Sequence, residues 1–79
     1  MARYYLHQYS PQGGFADDEG QDCATLEAAR RSAIAGIRSI MADDILHGFL
    51  RLDQRIDICD EAGARLATVP FSDAFQLHS

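Results

Sequence analysis

Asp17-Asp18-Glu19-Gly20-Gln21-Asp22-Cys23-Ala24-Thr25-Leu26-Glu27-Ala28-Ala29-Arg30 is the stretch that decides the fold. Its first four residues form a hairpin-type acidic turn, in which Gly20 suits a left-handed backbone position. Thr25 then offers the side chain of a helix N-cap, and Glu27 in the first turn complements the helix dipole. From Leu26 the apolar residues recur at Ala29, Ala33, Ile37, Ile40, Met41 and Ile45, with Ile34 widening the stripe. Glu27, Arg31, Arg38 and Ser39 fall on or beside the opposite, solvated side. Gly48 suits the position after a helix end, with His47 in the last turn. The spacing predicts one long helix from Leu26 to His47, with Ile37 at the middle of its buried stripe.

Strands flank this helix on both sides. Arg3 to Tyr9 is rich in Tyr and reads as a strand. Ser10-Pro11-Gln12-Gly13-Gly14 is a turn cluster, and Phe15-Ala16 begins a short second strand that the charges of Asp17 to Glu19 stop. After the helix, Phe49-Leu50-Arg51-Leu52 reads as a linker docked on the core. Arg55 to Asp60 alternates, with Ile56 and Ile58 on one face. Asp60-Glu61-Ala62-Gly63 has the chemistry of a type I turn with a glycine bulge. Ala64 to Phe71 returns as the last strand, ended by Pro70, with either Leu66 and Thr68 or Ala67, Val69 and Phe71 inward. Ser72 is placed to cap a final turn through Phe75. The order is ββαββ, an α+β fold in which an antiparallel sheet carries one long helix packed on one face.

Seventy-nine residues make a single domain, residues 1–79, and 47% hydrophobic residues supply a core. The net charge of −5 repels phosphate backbones, so direct contact with nucleic acid is not expected. All seven basic residues are Arg, which follows from GC-rich codons without a functional cause. Cys23 and Cys59 lack metal-site or CxxC spacing and read as small buried hydrophobes. No run approaches the ~20 apolar residues of a membrane span, and the first residues lack a signal peptide's apolar run. A cytoplasmic location without membrane attachment is the expectation.

Three motifs carry a family resemblance. Arg3-Tyr4-Tyr5-Leu6-His7 opens the chain, Asp17-Asp18-Glu19-Gly20 and Leu26-Glu27-Ala28-Ala29-Arg30 stand in the middle, and Asp60-Glu61-Ala62-Gly63 through Val69-Pro70-Phe71 closes it. In their order and spacing they resemble a family of short, uncharacterised proteobacterial proteins, a domain of unknown function. Cys23 departs from that family's larger aliphatic residue, and Thr25 departs from its commoner Asp cap. The resemblance implies the fold and brings no activity, cofactor or partner.

The candidate binding residues are His7, Asp17 and Arg30. His7 shares a strand face with Tyr5 and Tyr9. Its ring either packs against the tyrosines and hydrogen-bonds a nearby turn or carboxylate, or serves as a general base; the first reading is preferred, since no nucleophile accompanies it. Asp17, Asp18, Glu19 and Asp22 offer hard oxygen ligands, but their spacing is not that of a calcium loop. A solvated turn that blunts a sheet edge is the preferred reading, and no metal or cofactor is expected. Arg30, Arg31 and Arg38 either meet an acidic or phosphate group or make surface ion pairs.

No catalytic motif stands out. The expected function is a non-catalytic protein-interaction or regulatory module acting as a homodimer, with an unidentified protein partner. Surplus apolar residues at Phe49, Leu50, Phe71, Phe75 and Leu77 motivate it, together with free strand edges. The alternative is an antitoxin-like or nucleic-acid-linked regulator, by fold analogy only. The last is a small enzyme using His7 with an Asp of the acidic turn. So thin a domain has little room for the ~300 Å³ that a small-molecule site needs, except at a dimer interface.

Overall fold

The Tyr-rich opening segment becomes the longest strand and the centre of the sheet. The computed structural model describes residues 2–78. In chain order they form β1 (Ala2–Ser10), β2 (Gly13–Phe15), β3 (Gln21–Cys23), α1 (Leu26–Leu46), β4 (Arg55–Cys59) and β5 (Arg65–Pro70). A 3-10 turn at Phe71–Ala74 follows. All pairings are antiparallel, in the order β2-β1-β4-β5, with β3 also on β1. The fold is the α+β arrangement expected, an antiparallel sheet with one long helix, but the second arm is split. β2 covers the end of β1 from Gln8 to Ser10 and β3 covers its start from Ala2 to Tyr4.

That split has a geometric cause. Phe15 lies opposite Gln8 and Gln21 opposite Tyr4, so residues 16–20 face only residues 5–7. The surplus residues loop out as the acidic turn. Gly20 holds φ +70°, and a Cβ there would stand 2.9 Å from Arg3 Cγ and 3.0 Å from the Tyr4 carbonyl oxygen. Only glycine fits that position.

Thr25 caps α1 by accepting the Ala28 N–H on its hydroxyl at 3.1 Å. At the other end Gly48 holds φ +87°, as a residue just past a helix does. Ala29, Ala33, Ile37 and Met41 are buried against the sheet, with Ile34 and Ile40 packed at the margin. The stripe then departs from the expected phase. Asp44, not Ile45, takes the next buried position, and Ile45 is 60% exposed. The buried carboxylate is matched by Arg51 of the linker, whose Nη2 donates to Asp44 Oδ1 at 3.0 Å.

The sheet's core face carries Tyr4, Leu6, Ile56, Ile58, Ala67 and Val69. This settles the last strand, where Ala67, Val69 and Phe71 turn inward while Leu66 and Thr68 face out. Ile37, Ile58, Val69 and Phe71 are fully buried, each contributing roughly 1.5–3 kcal/mol of apolar transfer. Phe71 is thus core and leaves the set of surplus apolar residues. Ser72 makes no side-chain cap; Pro70 precedes the 3-10 turn, and Phe71 N–H donates to the Gln54 carbonyl. Arg38 lies on the exposed side as expected, and its Nε reaches across to donate to the Ala74 carbonyl at 2.6 Å.

Candidate functional site

Helix α1 covers one face of the sheet and leaves the other bare. Strand alternation sends Tyr5, His7 and Tyr9 of β1 to the bare face, beside Arg55, Asp57 and Cys59 of β4 and Thr68 of β5. His7 and Asp17 meet at its edge. The His7 ring stacks near Tyr5, with centroids 6.4 Å apart, and its Nδ1 accepts the Asp17 backbone N–H at 2.9 Å. That bond puts the proton of the neutral ring on Nε2 and occupies the Nδ1 lone pair. His7 in this arrangement offers a donor, not a base.

Asp17 closes the gap between β2 and β3. Its Oδ2 accepts from Leu6 N–H at 3.1 Å, and its Oδ1 accepts from Gly20 N–H at 3.0 Å and Glu19 N–H at 3.3 Å. Burial pushes its pKa up, but these three donors and the nearby His7 outweigh that, and the carboxyl titrates below its ordinary value. Asp22 pairs with Arg3, whose other nitrogen donates to the Glu19 carbonyl. Among the described residues no three His, Cys, Asp or Glu side chains gather to hold a metal ion.

Asp57 was not singled out in the sequence, and it is the most confined charge on the bare face. It is 6% exposed although no second layer covers it. Arg55 Nε donates to its Oδ1 at 3.2 Å, Thr68 Oγ1 donates to the same oxygen at 2.9 Å, and Arg65 lies 4.0 Å from Oδ2. Arg55 also lies over the Tyr9 ring, 4.8 Å from its centroid. His7 stands directly opposite Asp57 across the strands. Only strand register reveals this cluster. Cys59, also free and buried, has its thiol pKa raised by burial and then by Asp57 and Asp60, which makes it a poor nucleophile.

Arg30 is not part of this assembly. It sits half-buried on α1, on the far side of the sheet from His7.

A second surface lies where the end of α1, the linker and the tail converge. Ile45, Leu46, Phe49, Leu50, Leu52 and Leu77 are six of the ten large apolar side chains that stand exposed among the described residues. Two adjoining grooves share Ile45 and Leu50. The more apolar one holds about 360 Å³ and is lined by Met41, Ala42 and Ile45 of α1, Leu50 of the linker, Phe75 and Leu77 of the tail, and Arg38. The domain therefore has more room than its thinness suggested. The tail, folded against the flank of α1, supplies the second wall.

The family described as Domain of unknown function (DUF6894) matches residues 3–72. The chain belongs to this family. The match runs from Arg3 of β1 to Ser72 in the 3-10 turn, and so takes in the acidic turn, α1 and both later strands, and stops before Phe75 and Leu77. No curated protein and no solved structure matches the chain. Membership in DUF6894 assigns no activity. Among the described residues no helix is long and apolar enough to cross a membrane.

Proposed function

We propose that this member of DUF6894 is a protein-interaction module that acts as a homodimer through the apolar end of the molecule. The observation that carries the reading is the concentration of exposed apolar side chains there, with Leu46 84% and Leu77 90% exposed. Single exposed apolar residues need no explanation, but six gathered at one end of so small a chain do. A two-fold axis needs only one such patch, because the same surface serves both copies.

Sedimentation equilibrium across micromolar concentrations tests the reading. The chain should approach twice its 8.7 kDa mass. Leu46→Asp and Phe49→Asp should each give a folded monomer. A monomer at every concentration, or a dimer that survives both substitutions, refutes it.

A further inference from the structure

The more apolar groove has a direction. Arg38, Ala42 and Ile45 follow one another along one flank of α1, so the floor runs about 10 Å parallel to the helix axis. Leu50 closes one end, and Phe75 and Leu77 form the opposing wall. Among the described residues the lining carries a single charge, and it sits at the other end. Arg38 Nε is committed to the Ala74 carbonyl at 2.6 Å, which fixes the guanidinium and leaves its two Nη groups for another acceptor. Among the described residues Arg38 has no ion-pair partner, whereas Arg3, Arg51, Arg55 and Arg65 each have one.

An apolar trough ended by one oriented, unpaired cation is complementary to an aliphatic chain ended by one carboxylate. The volume of about 360 Å³ falls within the range of small-molecule sites. An extended chain of about eight carbons has the length of the floor. We propose that this groove binds medium-chain aliphatic carboxylates, with the carboxylate on Arg38 and the chain laid along Ala42, Ile45 and Leu50. The net charge of −5 opposes an anion at long range, but its field is largely screened beyond about 10 Å at physiological salt, while Arg38 acts in contact.

Binding requires no second copy, although Ile45, Leu50 and Leu77 belong to both surfaces. The test is therefore run on the full chain and on its Leu46→Asp variant, whose groove is intact, so that failure of the dimer and failure of the ligand site read separately. Octanoate, octan-1-ol and octylamine are titrated in physiological salt while backbone amide shifts are followed. Octanoate should give saturable shifts confined to the flank of α1, the linker and the tail, and bind at least about tenfold more tightly than octylamine. Arg38→Met should reduce octanoate to the affinity of octan-1-ol, and Arg38→Lys should keep most of the preference for the acid. Thermal melts confirm that each variant is folded. Equal binding of all three probes, shifts elsewhere on the molecule, or no saturable shift with octanoate overturns the proposal.

Discussion

Replacing Asp17 with Ala removes one carboxylate and three hydrogen bonds at once. The N–H groups of Glu19 and Gly20 lie in the outer turn and find water in its place. Leu6 N–H lies in the half-buried middle of β1, between the ends of β2 and β3, where Asp17 supplies its acceptor. An unmade bond there costs about 1–3 kcal/mol, and loss of the turn's own bonds brings the total to about 2–4 kcal/mol. A chain of 79 residues has a stability of about 4–12 kcal/mol, so the change is a large fraction of it. Urea unfolding gives the difference, and amide exchange at Leu6 shows whether the loss is local. The acid limb gives a further readout. A carboxyl whose folded pKa lies below its unfolded value contributes stability that is present above the unfolded pKa. That stability is lost as pH falls from about 4 through the folded pKa. Asp17→Asn should therefore flatten the decline below about pH 4. A stability change under about 0.5 kcal/mol with Leu6 still protected would refute the reasoning.

Ile37→Asp places an unpaired charge at a fully buried site and should abolish the far-UV helix signal at neutral pH; a folded variant would mean that the helix is not held by this face. Gly20→Ala forces a Cβ against Arg3 and the Tyr4 carbonyl at positive φ, and should lower stability by about 1–3 kcal/mol. Gly36→Ala, where a Cβ meets open space within α1, should raise it by about 0.5–1 kcal/mol, so a shared sign in thermal melts would count against the strain argument.

The helix was legible because its period, its cap at Thr25 and its stop at Gly48 all lie in consecutive sequence. β3 was not. Gln21-Asp22-Cys23 has no strand propensity of its own, and its pairing depends on what Ala2, Arg3 and Tyr4 present across the gap. The exchange of Ile45 for Asp44 at the end of the stripe was hidden for a similar reason: the partner that makes a buried Asp tolerable is Arg51, on an irregular linker. His7 and Asp17 were both legible as candidates, but the bond between them runs from a backbone N–H, which no residue type announces. Asp57 read as the solvated position of an alternating strand, and only register puts Arg55, Arg65 and Thr68 around it. The groove needed the tail's return along α1, and that path depends on Arg38 finding the Ala74 carbonyl.

The position of β1 bears on how the chain reaches this structure. It is first in sequence but central in the sheet, and its partner on one side is β4, so that Leu6 meets Ile58 across the whole length of α1. Local hairpins alone cannot build such a sheet. β1 with β2 and β4 with β5 can each form early, but neither hairpin has a covered face until the loop through the helix closes. Contacts between residues so far apart carry the loop-closure entropy that slows folding. The helix is thus the span that must order before the two halves meet, and until they do Tyr4, Leu6, Ile56 and Ile58 stay open to other chains.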